Sequence, residues 1–503
     1  MKRAVRVAAA VGCAVIASGH VGNSNVYFEG SAGPYPIRVV VRVPGVVPGL
    51  AQISVRSLGD QSFGLVTVRP LRWDAGIEGA PPADTAVAVP GEPGLYDAEL
   101  WLMTPGSYSV QVSVSGARGE GIVHVPVLAV AERRLDMNLP MALGLLGAGV
   151  FLFVGAITIF GAAVRESVLE PGSAPDQNRR RRARHVMAGG GVVMALVVWG
   201  GWQWWDDVDA AYRQRLYRPL AVSSVVDASP ERRLTLTIED EAWLNRNWSP
   251  LIPDHGKLVH MFAVRDGDLT GFAHLHPVAI DSSTFVTGLP ADLPAGDYRL
   301  YADIVHESGF AQTLTDTVAV PAPPPIAPPA FGNIQTLAGN ESVFDPDNSW
   351  VISRPAGTAV EKEYELASGH LVRWNAPGTL AVNHELTLEF VAVDPTGAPA
   401  RVEPYMGMLS HAAITRDDGS VFVHLHPSGT ISMAAKMRFE RAESDPGPEP
   451  MTMRHAPQTP VNVVRFPFEY TTPGRYRIWV QFKIDGLVET AAFDMTVTEA
   501  PAD

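Results

Sequence analysis

The chain contains a single cysteine, and this scarcity limits its chemistry. Cys13 lies in an apolar stretch near the N-terminus, so the remainder of the sequence has no thiol with which to form a disulfide. A site for a soft metal ion would have to use histidine and methionine in place of thiolates.

Charged residues are also scarce, and basic residues are outnumbered by acidic ones. Charged residues make up 18% of the 503 positions, and the formal net charge is -14. A low charged fraction is typical of a chain that lies partly in lipid. The acidic balance argues against a nucleic-acid partner, because binding phosphate requires a basic surface.

Motifs of the common enzyme classes are missing. The sequence has no Gly-x-Ser-x-Gly elbow, and His384-Glu385 is not followed by the second histidine of a metalloprotease helix. The glycine-rich residues 144–149 lie within an apolar run, where glycine serves helix packing and not phosphate binding. The sequence therefore predicts a protein that is not an enzyme. A metal-dependent enzyme is the weaker alternative, since no carboxylate stands out as a general base.

Two apolar runs predict transmembrane helices at residues 140–164 and 186–205. The first has 25 residues without a charge, and the second ends in three tryptophans, as expected at a membrane interface. The segment 165–185 between them carries six arginines, which predicts a cytoplasmic loop. Residues 1–19 read as an export signal peptide, with a charged start, an apolar run and small residues. The prediction is a protein of the cytoplasmic (inner) membrane, in contact with the lipid bilayer, whose soluble regions are both periplasmic.

Outside these runs, the alternation of apolar and polar residues has the two-residue period of half-buried strands. A Gly-x-Tyr phrase enters a strand near the end of each soluble region, at Tyr108, Tyr298 and Tyr476, and is similar to the tyrosine corner of immunoglobulin-like sandwiches. The predicted fold class is mainly β, with three immunoglobulin-like β-sandwich domains and two transmembrane α-helices. The predicted domains are 30–132, 220–320 and 333–498, with a proline-rich linker at 321–332.

The second and third of these domains share an internal duplication. Residues 253–260 align without a gap on residues 404–411, and after an Asp/Gly-rich turn both copies reach His-Leu-His-Pro. The two motifs are His274-Leu275-His276-Pro277 and His424-Leu425-His426-Pro427.

The spacing of the repeated histidines predicts a metal site in each copy. Residues two apart in a strand share a face, so His274 and His276 point the same way. A short hairpin loop would place His260 opposite His274, and in the second copy His411 opposite His424. His255 is five residues from His260, an odd spacing that a bulge at Gly256 would repair.

The predicted ligands contain imidazole and thioether groups, which favour copper, with zinc as the alternative. The all-histidine copy suits Cu(II) or zinc, and the copy with methionine suits Cu(I). A methionine-rich insert in the second copy offers further thioethers (Met433, Met437, Met451 and Met453, with His455). Asp303 and His306 are candidate partners of the ligands. An alternative interpretation is that the histidines are structural, bonding to one another within the sheet. The predicted ligands are His255, His260, His274 and His276 in the first copy, and Met406, His411, His424 and His426 in the second.

The N-terminal domain, from Pro34-Tyr35-Pro36-Ile37 to the phrase around Tyr108, resembles the YtkA-like and FixH-like sandwich domains of bacterial envelopes. The stretch from Pro404 to Met408, with its preceding Gly-Ala-Pro, looks like the corresponding region of the same class. The His-Leu-His-Pro part resembles uncharacterised bacterial membrane proteins, which implies no established reaction. Relatives of these domains occur in metal handling and oxidase assembly, and the resemblance thereby implies copper.

Two hypotheses follow. In the first, the chain is a membrane-anchored envelope protein that binds copper or hands it on to another envelope protein through duplicated His/Met sites. In the second, it is a non-catalytic scaffold or assembly protein of the envelope whose histidines are structural.

Overall fold

The computed structural model describes residues 25–500 with gaps at 60–61, 171, 230–231, 323–344, 358–360, 379 and 444–460. The predicted signal peptide and most of the proline-rich linker lie outside the described residues. The chain forms two compact units. One contains Ala131–Tyr217, and the other contains the chain up to Val130 together with the chain from Arg218 onward. The three predicted sandwich regions therefore pack into a single compact unit.

The smaller unit is a pair of long helices, α1 (Leu139–Glu166) and α2 (Gln177–Gln214). Both are long and apolar enough to cross a membrane, and the most apolar window of each has no buried residue. Each predicted span lies inside one of these helices.

The start of α2 differs from the prediction of an arginine-rich loop over 165–185. The Asp176 carboxylate accepts a hydrogen bond from Arg179 N and caps the helix at its N-terminus. The helix therefore begins at Gln177, and the arginine run forms its first turns instead of a loop.

The N-terminal domain consists of two antiparallel sheets. Their strand orders are β1-β2-β3-β7-β6 and β5-β4-β8-β9. The strands are β1 (Val26–Ala32), β2 (Tyr35–Arg42), β3 (Gly49–Ser57), β4 (Leu65–Arg72), β5 (Asp84–Thr85), β6 (Val87–Ala88), β7 (Leu95–Leu102), β8 (Gly106–Gly116) and β9 (Gly119–Ala129).

The middle domain also has two sheets, ordered β10-β11-β15-β14 and β17-β16-β12-β13-β18, with a buried core of aliphatic and aromatic side chains between them. Its last strand, Ser349–Ile352, follows the linker in sequence and pairs with β13. This strand lies after residue 333, where the C-terminal domain was predicted to begin. The elements are β10 (Val222–Val226), β11 (Arg233–Ile238), α3 (Glu241–Leu244), β12 (His260–Arg265), β13 (Gly271–Leu275), β14 (Val278–Ala279), β15 (Thr284–Gly288), β16 (Gly296–Val305), β17 (Ala311–Val320) and β18 (Ser349–Ile352).

The C-terminal domain repeats this plan with sheets ordered β19-β20-β21-β24 and β23-β22-β25-β26. A helix follows the second His-Leu-His-Pro motif. The elements are β19 (Glu363–Glu365), β20 (Leu371–Trp374), β21 (Leu386–Val393), β22 (Ser410–Arg416), β23 (Phe422–Leu425), α4 (Met433–Glu443), β24 (Val463–Phe468), β25 (Gly474–Ile484) and β26 (Leu487–Val497).

The predicted tyrosine corners are present. The hydroxyl of Tyr298 donates to the carbonyl of Pro294 at 2.9 Å, and that of Tyr476 donates to the carbonyl of Thr472 at 2.7 Å. In each case the acceptor lies four residues upstream, as in the tyrosine corner. The hydroxyl of Tyr108 lies 2.9 Å from that of Thr104, at the same spacing.

The histidine-bearing sheets of the middle and C-terminal domains pack against each other through equivalent aromatic pairs. Phe272 stacks on Trp479 with 4.5 Å between ring centroids, and Phe422 stacks on Tyr301 at 4.1 Å. The repeat aligns Phe272 with Phe422 and Tyr301 with Trp479. Each pair is thus the counterpart of the other, and the two domains are related by a local pseudo-twofold axis.

The N-terminal domain contacts the loop that follows the second His-Leu-His-Pro motif. Thr430 N donates to the carbonyl of Tyr27 at 3.0 Å, and Glu29 N donates to the carbonyl of Ser428 at 2.9 Å. Gly429 has φ +110, and a β-carbon there would lie 1.9 Å from the Tyr27 carbonyl oxygen. Only glycine therefore permits this close approach.

We expect Phe422→Ala to destabilise the large unit by about 3–5 kcal/mol, because a buried aromatic ring is lost from the contact between the two domains. Phe422 is 2% exposed, whereas Trp101, which is 60% exposed, supplies the control Trp101→Ala. Thermal unfolding of the purified protein in detergent, followed by near-ultraviolet circular dichroism, measures both. Equal shifts for the two variants would contradict the packing described.

Candidate metal centre

The register of the first hairpin brings three histidines together, although not in the predicted pairing. Strand β12 pairs with β13 so that Phe262 lies opposite His274. Continuing this register places His260 opposite His276, two residues from the prediction. Because the side-chain period of a strand is two, the shift keeps all three imidazoles on one face.

The second hairpin shows the same shift. Ala413 lies opposite His424, so His411 faces His426 and not His424. The cause is the loop length. Arg416 N donates to the carbonyl of Val421 at 3.0 Å, so residues 417–420 form a four-residue loop, which is longer than the short loop that the prediction assumed.

A tight turn replaces the bulge predicted at Gly256. Asp254 and Lys257 exchange backbone hydrogen bonds of 2.9 Å, with His255 and Gly256 between them at φ +51 and +83. Two positive φ values are the mark of a type I′ hairpin turn. The second copy has the same turn, with Met406 and Gly407 at φ +48 and +77.

The turn carries His255 away from the other histidines of its own copy. Two groups of imidazoles form, and within each group the candidate ligand atoms lie within 4.8 Å of one another. The predicted grouping by repeat is therefore wrong for His255, which joins two residues of the C-terminal domain. We name the groups the His260 cluster (His260, His274, His276) and the His411 cluster (His255, His411, His426).

Hydrogen bonds fix the protonated nitrogen of each ring in the His260 cluster. The Nδ1 of His276 donates to Asn348 Oδ1 at 3.0 Å, and that oxygen also accepts from His276 N. The Nε2 of His260 lies 3.1 Å from the carbonyl of Asp254, which can only accept. The Nδ1 of His274 donates to Gln481 Oε1 at 2.8 Å.

These bonds leave unprotonated nitrogens directed into the His260 cluster. The Nε2 of His276 is buried and has no hydrogen-bond partner. The Nδ1 of His260 and the Nε2 of His274 lie 3.2 Å apart. With Gln481 oriented so that its Oε1 accepts from His274, the protons of both neutral rings are engaged elsewhere, and two lone pairs face each other across this distance.

The His411 cluster is similar. The Nδ1 of His426 donates to the carbonyl of Ile431 at 3.1 Å, and its Nε2 is buried without a partner. The Nε2 of His255 and both ring nitrogens of His411 are also buried and unpartnered. Buried polar atoms are rarely left unpaired, so this concentration requires an explanation.

A seventh imidazole, His424, lies beside both clusters. Its Nδ1 donates to Asp303 Oδ2 at 3.2 Å, and its Nε2 is buried without a partner. The repeat aligns His424 with His274 and Asp303 with Gln481. Each copy therefore anchors one imidazole of the other, through His274 to Gln481 and through His424 to Asp303.

Burial keeps six of these imidazoles neutral. It lowers the pKa of His260, and it lowers the pKa values of His274, His276, His411, His424 and His426 well below the ordinary range, with the neighbouring imidazoles contributing in the same direction. A neutral imidazole is the form that ligates metals. The arrangement is thus able to offer several lone pairs to a cation without first losing a proton.

The other candidate residues have different outcomes. Met406 is buried at the tip of its turn. Asp303 is confirmed as a partner of a site histidine, whereas His306 is bound elsewhere, donating from Nδ1 to the Ser249 carbonyl at 2.9 Å and accepting at Nε2 from Gln312 at 2.7 Å. Part of the methionine-rich insert, including Met451, Met453 and His455, lies outside the described residues.

Sequence reasoning missed the residues that orient the imidazoles. Gln481 could have been identified, because the repeat aligns it with Asp303, which was a candidate. Asn348 was not, because it follows the linker and belongs to no recognised motif. The Oδ1 of Asp254 accepts from Ala434 N at 2.9 Å and lies 3.7 Å from His255 Nε2. Asp254 belongs to the segment shared by the two copies, in which it aligns with Tyr405.

Comparison with known proteins adds little about function. Residues 219–322 and 365–499, the middle and C-terminal domains, match the model of a domain of unknown function (DUF8832). No curated protein matches the chain.

Solved structures with some similarity have low sequence identity to this chain and low TM-scores. A tetra-tandem repeat in the extending region of a large adhesion protein is 10% identical, with a TM-score of 0.15, over 90% of this chain and 72% of that one. The FN1–FN3 domains of chicken CNTN1 are 10% identical, with a TM-score of 0.13, over 91% and 97%. The E. coli alpha-2-macroglobulin is 7% identical, with a TM-score of 0.20, over 96% of this chain and 23% of that one.

We expect His411→Leu to stabilise the metal-free protein by about 1–3 kcal/mol, because it removes two buried nitrogens that have no partner. The matched control is His306→Leu, which should destabilise the protein because both nitrogens of His306 are hydrogen bonded. Thermal unfolding with a chelator present measures both variants. A loss of stability in His411→Leu equal to that of the control would show that His411 is a structural residue.

Proposed function

We propose that this protein binds transition-metal ions, with copper as the first choice and zinc as the alternative, at the His260 and His411 clusters. The observation that carries the proposal is the orientation of the buried imidazoles. Where a nitrogen has a hydrogen-bond acceptor, the acceptor holds the proton on the side away from the cluster, and the lone pair of the other nitrogen faces inward. Metal-binding histidines are held by outer acceptors in this way.

The contact between His260 and His274 supports the same interpretation. Their facing nitrogens are 3.2 Å apart, a distance at which two lone pairs repel each other. A cation at about 2.0–2.1 Å from each nitrogen would fit between them with an angle close to tetrahedral. The fold thus holds the two rings in an arrangement suited to metal ligands.

The chemistry of the ligands favours copper(I). Each cluster consists of imidazoles, and the described residues supply no thiolate. The cost of burying an ion rises with the square of its charge, so a monovalent ion is easier to bury here than a divalent one. Imidazole also binds zinc readily, which is why zinc remains the alternative.

Met406 is the proposed fourth ligand of the His260 cluster. It occupies the turn that is equivalent to that of His255, with the same backbone conformation. His255 crosses to the histidines of the other copy. The pseudo-twofold relation between the copies implies the reciprocal crossing for Met406, whose thioether would favour Cu(I).

Binding, and not catalysis, is the proposed role. The side chains of His255 and His424 are 3% and 9% exposed, and the other five histidines are buried. Such burial leaves little room for a substrate beside the ions. Held by α1 and α2 in the cytoplasmic membrane, the immunoglobulin-like domains would keep the metal, or hand it on, in the periplasm.

We expect the full-length protein in detergent to bind two copper(I) ions per chain, measured by mass spectrometry of the metal after anaerobic loading and desalting. His276→Leu with His426→Leu removes one unpartnered lone pair from each cluster and should lower the copper content severalfold. His306→Leu, outside both clusters, should keep the wild-type content. A copper content near zero in the wild-type protein would contradict this proposal and favour the scaffold hypothesis, in which the histidines are structural.

The proposed topology can be tested by labelling single cysteines in intact cells, on a Cys13→Ala background. Exposed positions for the new cysteine are Glu120 in the N-terminal domain, Ser173 between the helices and Asp485 in the C-terminal domain. Once the outer membrane is permeabilised, a maleimide that cannot cross the inner membrane should label Glu120→Cys and Asp485→Cys. It should label Ser173→Cys only after lysis. Labelling of Ser173→Cys before lysis would contradict the topology.

A further inference from the structure

The two histidine clusters are contiguous. Within each cluster, ring centroids lie 4.6–5.4 Å apart. Between the clusters, His255 lies 6.1 Å from His260, and His274 lies 6.3 Å from His411. The gap between the clusters is therefore barely larger than the spacing within them.

His424 lies in this gap. Its ring is 4.4 Å from His426 and 5.7 Å from His411 on one side. On the other side it is 5.5 Å from His260 and 5.7 Å from His274. Its Nε2 is buried and unpartnered, while Asp303 holds Nδ1.

We propose that the two clusters form one dinuclear metal centre, in which His424 lies between the two ions and its Nε2, the lone pair that Asp303 leaves free, binds the second of them. The proposal rests on the proposed metal binding and adds to it that the ions are coupled. Neither repeat contains a complete centre, because His255 belongs to the middle domain and completes the cluster of the C-terminal domain. The centre therefore exists only when both domains are packed together.

Coupling has a measurable electrostatic consequence. Ions held about 2 Å from nitrogens of rings this close lie on the order of 8 Å apart. At an effective dielectric constant of about 20, repulsion between two monovalent ions weakens binding of the second by about 30-fold. Between two divalent ions, the repulsion is four times larger in free energy, and the second binds roughly a million-fold more weakly.

Asp254 determines which of the two clusters is filled first. Its buried carboxylate lies 3.7 Å from His255 Nε2, in the His411 cluster. In the His260 cluster, the nearby Asp345 is paired with Lys257. The first cation should therefore enter the His411 cluster, where one negative charge is available to offset its own.

The experiment is a titration of the full-length protein in detergent with copper(I), under anaerobic conditions and against a chromophoric chelator, and separately with zinc. We expect two copper(I) ions per chain, with dissociation constants separated by at least tenfold, and one zinc ion per chain. Asp254→Asn keeps the shape of the side chain and its hydrogen-bond acceptor, and should weaken the first copper(I) step by at least tenfold.

His424→Leu tests this proposed ligand of the second ion. It should weaken the second copper(I) step by at least tenfold while the first changes less than threefold. Asp303→Asn should weaken the second step to a smaller extent, because Asp303 acts by positioning His424. The control is His306→Leu, which should leave both steps unchanged.

Two ions of either metal with equal constants, or no effect of His424→Leu, would overturn the dinuclear centre while leaving metal binding intact. No binding of either metal would overturn both proposals.

Discussion

The site depends on one contact, the packing of the histidine-bearing sheet of the middle domain against its counterpart in the C-terminal domain. The aromatic pairs Phe272 with Trp479 and Tyr301 with Phe422 hold this contact. Burial of four large rings supplies apolar stabilisation of several kcal/mol. That stabilisation has to offset the cost of burying imidazole nitrogens that lack hydrogen-bond partners. Without the contact, neither the crossing of His255 nor the reciprocal anchoring of imidazoles would exist.

The contact also explains why a duplication is useful here. A single sheet offers one row of imidazoles and leaves its other side open to solvent. Two copies related by a pseudo-twofold axis close that side, and each supplies polar groups to the other. His274 donates to Gln481, and His424 donates to Asp303. The duplicated unit thus builds a buried polar interior that one copy could not enclose.

Much of this arrangement follows from local sequence, and the part that does not has a clear physical cause. The strand period placed His274 and His276 on one face, and the repeat identified the seven histidines. The pairing partner of His260 was missed by two residues, because an Asp/Gly-rich turn accommodates several loop lengths. The destination of His255 was missed because it depends on how two domains pack, which no local pattern specifies. The strand β18, which follows the linker, was missed for the same reason.

The two copies have diverged at the positions that matter most for charge. One anchor is the carboxylate Asp303, and the other is the neutral amide of Gln481. One crossing residue is His255, next to the buried Asp254, and its counterpart is Met406, next to Tyr405. An acidic partner raises the basicity of an imidazole, while a thioether prefers a softer ion. His255, Asp303 and Gln481 each contact the other copy, so these differences would make the two halves of the proposed centre unequal while the folds that support them remain alike.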